Sequence, residues 1–285
     1  MNTISKPKPC EGSEPSQGLQ LNMIRALIID ADGVLWHGRR PLPGVSAFFD
    51  FLCARQIAFI IATNNSSRPA SDVVERLAEM NVRITESQVL TSAEATARFL
   101  PRIVPRGARV FLIGGPGIMD MLTRAGYQLV EQGADVVVVG MDTTLTFEKL
   151  KRATLEIRRG AKFVGTNADK TFPSSEGIIL GAGSILAALQ AATDVAPIVI
   201  GKPERAMFDI AVEKMGVPRE ATAMLGDRLE TDIEGAARAE LKTILVLTGV
   251  TTREMLAQSA IQPDFVFGDL DALREGWARA IDFRA

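Results

Sequence analysis

The chain contains few of the side chains that hydrolases commonly use as nucleophiles, bases or zinc ligands. It has one histidine, His37, and two cysteines, Cys10 and Cys53, in 285 residues. Neither cysteine begins a C-x5-R phosphate loop, and one histidine cannot supply a zinc cage built from several. Two cysteines also fall short of the disulfide framework of a small secreted domain, which predicts a reducing, cytoplasmic location. Any reaction must therefore use mainly carboxylates, hydroxyls and lysine.

The chain also lacks an excess of charge of one sign and a long apolar run. Its 32 basic and 34 acidic residues give a formal net charge of −2. Nucleic-acid-binding proteins are typically basic, so we expect no nucleic-acid partner. No segment approaches the ~20 apolar residues of a membrane span, so we expect no membrane partner. Residues 1–22 are rich in Ser, Pro, Gly and Lys and are predicted to form a disordered tail.

Short apolar runs alternate with helical patterns along the rest of the chain, which predicts an α/β fold with parallel strands joined by crossover helices. The outer strands are predicted at 26–30, 57–63, 197–201, 222–226, 243–247 and 264–267. A helix is predicted over 203–216, with Pro203 in its first turn and Gly216 as its cap.

A second group of strands, at 109–115, 135–141 and 162–167, lies in the middle of the chain. It predicts a separate, smaller α/β domain over residues 104–196. The other domain is then discontinuous, with a first part at 23–103 and a second part at 197–285. Ligands of such architectures usually bind beyond the carboxyl ends of the strands, where domains meet.

Polar residues suited to phosphate chemistry follow four of the predicted outer strands. The carboxyl ends of parallel strands share one edge of a sheet, so these residues are expected to meet there. A magnesium ion could then lie between Asp30 and Asp227. Each motif alone is weak, because such residues also form ordinary turns and helix caps. The four segments are 30-DAD-32, 63-TNN-65, 201-GKP-203 and 226-GD-227.

Together these motifs resemble the haloacid dehalogenase (HAD) superfamily. Its signature is D-x-D-G at the first strand, Thr or Ser at the second, an upstream Lys and a final G-D-x-x-x-[TS]-D, which here reads 226-GDRLETD-232. The insertion, with 166-TNADKTFP-173 and 181-GAGS-184, resembles subfamily IIA, which includes 4-nitrophenylphosphatase-like and pyridoxal-phosphatase-like enzymes. The resemblance implies a Rossmann-like parallel-sheet core with an inserted, smaller α/β cap.

The resemblance also implies a magnesium-dependent phosphatase acting on a small phosphorylated metabolite. Asp30 would be the nucleophile that forms an aspartyl-phosphate, and Asp32 the general acid and base. Magnesium would be held by Asp30, the main-chain carbonyl of Asp32 and Asp227. Asp232 would support the site indirectly, by orienting Lys202. The implied phosphate-binding residues are Thr63, Asn64, Asn65 and Lys202.

In the cap, residues 166–173 are the best candidate for contacting the leaving group of the substrate, through Asn167, Asp169 and Phe172. A surface loop is an equal alternative for this segment. The small residues of 181–189 predict a helix start that another segment approaches closely. Trp36 and His37 are predicted to pack near the acids or to shield them from water. The resemblance implies a homodimer through the cap.

Two other functions use the same first chemical step. A non-enzymatic phosphoacceptor module also combines Asp, Thr and Lys around magnesium, but such modules are shorter and lack the second acid of Asp-x-Asp. A phosphomutase differs from a phosphatase only in the destination of the phosphoryl group. The sequence leaves open which sugar phosphate, nucleotide or other phosphate monoester is the substrate.

Overall fold

The computed structural model describes residues 21–174 and 176–282. Residues 1–20, and with them most of the predicted tail and Cys10, lie outside the described residues. Leu21 and Asn22 were assigned to that tail, but both are buried, and Leu21 belongs to an apolar cluster of the core. The prediction of a disordered tail is therefore wrong for these two residues.

The helices and strands follow one another in three segments of the chain. The first contains β1 (Ala26–Ile29), β2 (Trp36–His37), β3 (Arg40–Pro41), α1 (Val45–Ala54), β4 (Ala58–Thr63), α2 (Ala70–Glu79), β5 (Val89–Thr91) and α3 (Ser92–Phe99). The second contains β6 (Arg109–Ile113), α4 (Pro116–Arg124), β7 (Gln128–Leu129), β8 (Val136–Val139), α5 (Phe147–Arg158), β9 (Lys162–Gly165), β10 (Thr171–Ser174), β11 (Gly177–Leu180), α6 (Ala182–Thr193) and β12 (Ile198–Val199). The third contains α7 (Arg205–Met215), β13 (Thr222–Gly226), α8 (Gly235–Arg238), β14 (Lys242–Val246), α9 (Arg253–Gln258), β15 (Phe265–Phe267) and α10 (Leu270–Asp282).

The first sheet is parallel and six-stranded, in the order β15-β14-β13-β1-β4-β5. Its central strand β1 is apolar and buried at all four positions. Leu27 and Ile29 pack into one apolar cluster while Ile28 packs into another, because successive side chains of a strand point to opposite faces. Both faces of the sheet are thus covered, as in other parallel sheets. The predicted α/β fold class is confirmed.

The second sheet is also parallel, with five strands in the order β12-β9-β8-β6-β7. Its members include the three strands predicted for the middle of the chain. It also includes β12, because Ile198 pairs with Val164 and Val199 pairs with Gly165. The prediction that residues 197–201 form a strand of the outer sheet is therefore wrong. The division into domains at residues 104 and 196 stays a prediction.

Helix α7 begins two residues later than the sequence indicated. Its N-cap is Glu204, so Pro203 lies before the helix rather than in its first turn. Gly216 ends the helix with a left-handed φ of 65°, a conformation that glycine adopts without strain. The turn before the helix, residues 201–204, leads the chain from the second sheet back to the first.

One apolar cluster joins the two sheets. It contains Ile28 and Ile60 from the first sheet together with Val110 and Val138 from the second. The cluster also contains Ala93 of α3 and Ile118 of α4, so helices connect the two sheets and loops from both sheets can approach one place. No helix in the described part of the chain is long and apolar enough to cross a membrane.

Candidate active site

A buried ion-pair cluster lies at the carboxyl end of β1. Asp30 follows β1 directly, and its N–H donates to the carbonyl oxygen of Leu225 in β13, 2.9 Å away. The Lys202 Nζ lies 2.7 Å from the Asp30 Oδ1 and 2.8 Å from the Asp232 Oδ1. The side chain of Lys202 is 3% exposed and that of Asp232 is fully buried, whereas that of Asp30 is 13% exposed. Asp30 is therefore the member of the cluster open to a ligand.

Asp227 joins this cluster from the end of β13. One oxygen each from Asp30, Asp227 and Asp232 lies within 4.8 Å of the other two. The Asp227 Oδ2 accepts a hydrogen bond of 2.7 Å from the Val250 N–H, which fixes the direction of the carboxylate. The buried Asp227 Oδ1 has no hydrogen-bond partner. Two carboxylates thus pair with one ammonium group, and a third lies beside them with its Oδ1 lacking a donor.

Two glycines allow the Asp227 carboxylate to take this position. A Cβ on Gly33 would lie 2.4 Å from its Oδ2, and one on Gly249 would lie 1.9 Å from the same atom. Any side chain at either position would displace the carboxylate. Gly33 also has a left-handed φ of 85°, which favours glycine in its own right.

The electrostatics of the cluster show a deficit of positive charge. Burial raises the pKa of Asp30 to about 8, and Lys202 opposes this while Asp232 and Asp227 add to it. Burial also raises the pKa of Asp227 to about 6, with Asp232 acting in the same direction. Burial alone would lower the pKa of Lys202, but the carboxylates of Asp232 and Asp30 hold it above its usual value. A further cation beside Asp30 and Asp227 would stabilise both ionised carboxylates.

The donor set fits a small divalent cation. Carboxylate oxygens are the protein ligands that Mg²⁺ prefers, and the unpartnered Asp227 Oδ1 is such an oxygen. Both oxygens of Asp232 are already engaged, because Oδ1 faces Lys202 and Oδ2 accepts from the Arg228 N–H at 3.1 Å. Asp30 and Asp227 are therefore the better ligands, with Asp232 holding Lys202.

Asp32 lies outside the cluster of acids and points toward an aromatic side chain. Its Oδ1 accepts a hydrogen bond of 2.9 Å from the Trp36 Nε1. Asp32 is exposed, unlike Asp227 and Asp232, so its carboxylate can meet a substrate from solvent. The role of its main-chain carbonyl as a metal ligand stays a prediction.

The segment after β4 was predicted to bind phosphate through Thr63, Asn64 and Asn65. Ile61 of β4 pairs with Ile29 of β1, so Thr63 ends its strand beside Asp30. The Thr63 Oγ1 accepts from the Asn65 N–H at 3.2 Å. The Asn65 Oδ1 accepts from the N–H and the hydroxyl of Ser67, at 2.9 and 2.8 Å. The Asn65 side chain therefore shapes its own loop.

The Asn64 side chain connects three parts of the chain. Its Nδ2 donates to the main-chain oxygen of Lys202 at 2.9 Å and to the Asp169 Oδ2 at 3.1 Å. The same Asp169 oxygen accepts from the Asn167 Nδ2 at 2.7 Å. Two of the three predicted specificity residues, Asn167 and Asp169, thus bind each other, and Asp169 also binds Asn64. Phe172, the third, is half-buried in β10.

Comparisons with known proteins agree with this geometry. A family model described as haloacid dehalogenase-like hydrolase matches residues 27–128, and one described as HAD-hydrolase-like matches residues 199–273. An acid sugar phosphatase of Staphylococcus saprophyticus is 38% identical over 248 residues, covering 87% of this chain and 95% of that protein. The chain belongs to the haloacid dehalogenase superfamily.

Solved structures point to the same branch of the HAD superfamily. A 4-nitrophenylphosphatase from Thermotoga maritima is 40% identical, covers 90% of this chain and 99% of its own, and superposes with a TM-score of 0.86. NagD from E. coli K-12 is 29% identical, with coverage of 87% and 97% and a TM-score of 0.82. These relatives confirm the predicted resemblance to subfamily IIA and the expected enzyme class, a phosphoric monoester hydrolase.

Sequence reasoning missed two features of the candidate site. The loop after β14 supports Asp227, since the Val250 and Thr251 N–H groups donate to its side-chain and main-chain oxygens. Its only sequence signal is Gly249, shortly after an apolar strand. Trp36 was predicted to pack or to shield the acids, yet its indole N–H binds the predicted general acid. The D-x-x-x-W spacing from Asp32 to Trp36 is not a sequence motif that predicts this hydrogen bond.

Proposed function

We propose that the protein is a magnesium-dependent phosphatase that hydrolyses a small phosphate monoester through an aspartyl-phosphate on Asp30. The observation that carries this proposal is the buried cluster itself, with the Lys202 Nζ 2.7 Å from the Asp30 Oδ1 and the Asp227 carboxylate beside them. The sugar phosphatase among the relatives makes sugar phosphates the first substrates to test. The predicted cytoplasmic location belongs to the same proposal.

In the first step, an Asp30 oxygen attacks phosphorus and the bond from phosphorus to the leaving oxygen breaks. Lys202, buried and charged, reduces the repulsion between the carboxylate and the anionic monoester. Asp32 donates a proton to the leaving oxygen, which allows a poor leaving group such as a sugar alkoxide to depart. We assign the hydroxyl of Thr63, which ends β4 beside Asp30, to contact an oxygen of the transferring group.

In the second step, water attacks phosphorus of the aspartyl-phosphate and Asp32 accepts the proton from that water. Inorganic phosphate leaves and the Asp30 carboxylate is regenerated. Asp30 and Asp227 would hold the divalent ion, with the main-chain carbonyl of Asp32 proposed as a further ligand. When bound, the ion supplies positive charge that favours ionised Asp30 and neutralises the phosphoryl oxygens. Asp232 keeps Lys202 in place through both steps.

Phosphate release from a panel of metabolites, with Mg²⁺ or with a chelator, tests the proposal. Wild-type protein should release phosphate only with the ion, and Asp30→Asn should lower the rate by at least about 10³-fold, because the nucleophile is lost. Asp50→Asn on the exposed face of α1 is the matched control and should keep full activity. Equal rates for Asp30→Asn and wild type would refute the nucleophile.

The same samples separate the two alternatives. A phosphomutase would convert the substrate into an isomer with little free phosphate, which phosphorus NMR detects. A phosphoacceptor module would accumulate a stable phosphoprotein without turnover, which intact-protein mass spectrometry detects. A labelled phosphoryl group that appears briefly on wild type and never on Asp30→Asn is the result expected for the phosphatase.

The expected homodimer is the second part of this proposal. The hairpin of β10 and β11 exposes an apolar strip, in which Ile178 is 78% and Leu180 is 55% exposed. Exposed apolar strips of this kind often mark contacts between proteins. Sedimentation of wild type should then show a dimer that Ile178→Asp converts to a monomer, whereas Met255→Asp, at an exposed apolar residue on α9, should leave it unchanged. A wild-type monomer at high concentration would contradict the dimer.

A further inference from the structure

The indole N–H of the buried Trp36 has one hydrogen-bond acceptor, in the carboxylate of Asp32. The side chain is 3% exposed, and a buried indole N–H usually requires an acceptor. The acceptor is the Asp32 Oδ1, 2.9 Å from the Trp36 Nε1. The bond therefore fixes one oxygen of the exposed Asp32 carboxylate and leaves the other free.

The main chain between these two residues folds into a tight turn. The Gly33 N–H donates to the Trp36 carbonyl oxygen at 2.8 Å, and the Leu35 N–H donates to the Ala31 carbonyl oxygen at 2.9 Å. The Thr248 hydroxyl donates to the Gly33 carbonyl oxygen at 2.6 Å and ties the turn to the loop after β14. The distance from the indole to the Asp32 carboxylate is thus set by a short, internally bonded segment.

Arg76 holds the other side of the indole. Its guanidinium carbon lies 4.0 Å from the centre of the Trp36 ring, a cation–π contact. The same guanidinium donates to the Gly38 carbonyl oxygen, in the turn between β2 and β3. Burial lowers the pKa of Arg76 while the Asp32 carboxylate opposes that change, in keeping with their proximity. Helix α2 thereby fastens the β2–β3 hairpin beside the predicted general acid.

We propose that Trp36 is a positioning residue that directs the Asp32 carboxylate toward the leaving group, and that Arg76 holds Trp36 in place. The inference rests on the proposed phosphatase function, in which Asp32 protonates the leaving oxygen. Because the indole N–H occupies Oδ1, the transferable proton resides on Oδ2. Without the indole, the exposed carboxylate would sample other rotamers and present Oδ2 correctly for less of the time.

Leaving-group dependence tests this role, because a good leaving group needs little protonation. The values of kcat/KM for glycerol 2-phosphate and 4-nitrophenyl phosphate report the step up to departure of the leaving group. Trp36→Phe keeps the ring under Arg76 but removes the N–H. It should lower kcat/KM for the glycerol ester by about tenfold, part of the 10²–10⁴-fold that acid catalysis supplies, with little change for the nitrophenyl ester.

Three further variants separate positioning from general damage. Arg76→Met should shift the ratio of the two kcat/KM values in the same direction, and Arg76→Lys, which keeps a cation over the ring, should restore it. Trp277→Phe changes the other tryptophan, which is buried against Phe51 and does not belong to the candidate site. It should lower stability and leave the ratio unchanged. An equal loss for both esters in Trp36→Phe would overturn the proposal, as would unchanged values for both.

A measurement without substrate keeps this test independent of the proposed function. The chain has two tryptophans, so ¹⁵N-labelled protein gives two indole cross-peaks, and Trp36→Phe assigns them. Asp32→Ala should move the Trp36 indole proton upfield and leave that of Trp277 in place. An unmoved Trp36 peak would refute the hydrogen bond whatever the activity. Wild type that releases no phosphate would refute the phosphatase while this shift still reports on the contact.

Discussion

The two parallel sheets have similar strands and different loops. β1 of the first sheet and β8 of the second are both four apolar residues, buried throughout. The first sheet continues from its strands into Asp30 and Asp227, which converge on one cluster. The second sheet continues from β8 into Gly140, which has no side chain. The residues of the proposed chemistry therefore follow the strands, and the strands serve to align them.

The second sheet uses the small residues at its carboxyl edge to approach the loop after β4. A Cβ on Gly140 would lie 2.8 Å from the Ser66 hydroxyl, and one on Gly117 would lie 2.8 Å from the Ser66 carbonyl oxygen. A Cβ on Gly201 would lie 2.6 Å from the Asn64 Oδ1. The first sheet thus contributes the acids, whereas the second contributes small residues that allow its loops to approach closely. Lys202 reaches the acids because Gly201 packs against Asn64.

The largest difference between the sheets should appear when each loses a lysine that pairs with a buried aspartate. Lys202→Met leaves Asp30 and Asp232 without their shared cation. Breaking a buried pair in this way costs about 3–5 kcal/mol of unfolding free energy. We also expect a loss of about 10²–10³-fold in kcat, because a charge that stabilises the transition state is removed. Urea denaturation and phosphate release measure the two effects.

Lys149→Met is the matched change in the second sheet. The Lys149 Nζ lies 2.7 Å from the Asp142 Oδ2, but Asp142 keeps two hydrogen bonds from Thr144 when the lysine is lost. Lys149 is also partly exposed, so we expect a cost of about 1 kcal/mol and unchanged kcat. Equal losses of unfolding free energy for the two variants would show that Lys202 contributes no more to stability than Lys149 does.

Two buried aspartates should give opposite pH dependence of stability in metal-free protein. The pKa of Asp227 is raised to about 6. Its folded form therefore holds a proton more tightly than the unfolded chain, and stability falls as pH rises from about 4 through 6. Asp227→Asn removes this loss and should stabilise the protein at pH 7 by about 3 kcal/mol at most, since one pKa unit corresponds to about 1.4 kcal/mol.

Asp142 should behave in the reverse way. Burial alone would raise its pKa, but hydrogen bonds from Lys149 and Thr144 outweigh burial and hold the pKa below its usual value. Its contribution to stability is present above pH 4 and is lost as pH falls through the lowered pKa. Asp142→Asn should therefore destabilise the protein at pH 7. Urea midpoints from about pH 2 to 8 in a chelator compare the variants, and curves parallel to that of wild type for both would contradict the assigned directions.

The long apolar strands were predictable, but one of them was assigned to the wrong sheet. Buried runs such as ALII and VVVV are apolar at every position, so their composition alone indicates strands covered on both faces. The run at 197–201 also has an apolar centre, yet Ile198 and Val199 pair with β9. Apolar pattern carries no information about the partner strand. The Gly-Lys-Pro motif was nevertheless useful, because a turn brings Lys202 to Asp30 from the other sheet.

Parts of the site depend on contacts that no local pattern encodes. The acids at 30, 227 and 232 could be named because each follows a strand or belongs to a family motif. The support of Asp227 by Val250, and of Asp32 by Trp36, requires loops to fold back over the strand ends. The packing of the whole core determines how these loops fold back, so the contacts can be identified only in the folded structure.

A moderate effect is expected where loops of the two sheets meet. Gly140→Ala would place a methyl group 2.8 Å from the Ser66 Oγ and 3.1 Å from the Thr166 Oγ1. Overpacking of this kind costs about 1–3 kcal/mol, and the displaced Ser66 loop should also raise KM. Gly268→Ala is the control, because nothing lies within 4 Å of its added methyl group. If the two variants unfold at the same urea concentration, the approach of the sheets is looser than Gly140 indicates.

The smallest expected effect concerns the role of Asp169. Its Oδ2 accepts hydrogen bonds from the Asn64 and Asn167 amides, so it links the loop after β4 to the loop after β9. Asp169→Ala should therefore raise KM by the same factor, about three- to tenfold, for every phosphate ester in a panel, since a link between loops is lost at about 1 kcal/mol. Asp120→Ala on α4, whose partner Arg124 is exposed, should leave KM unchanged.

The pattern across that panel decides between two functions for the same carboxylate. A residue that reads the leaving group contacts a part of the substrate that differs between esters, so its removal must change their relative kcat/KM. A residue that joins two loops affects how the site holds the phosphoryl group, which all esters share, so its removal should change KM equally for every ester. The hydrogen bonds of Asp169 are both directed to the protein, which favours the second function. A change in substrate preference in Asp169→Ala would return Asp169 to the specificity residues predicted from the sequence.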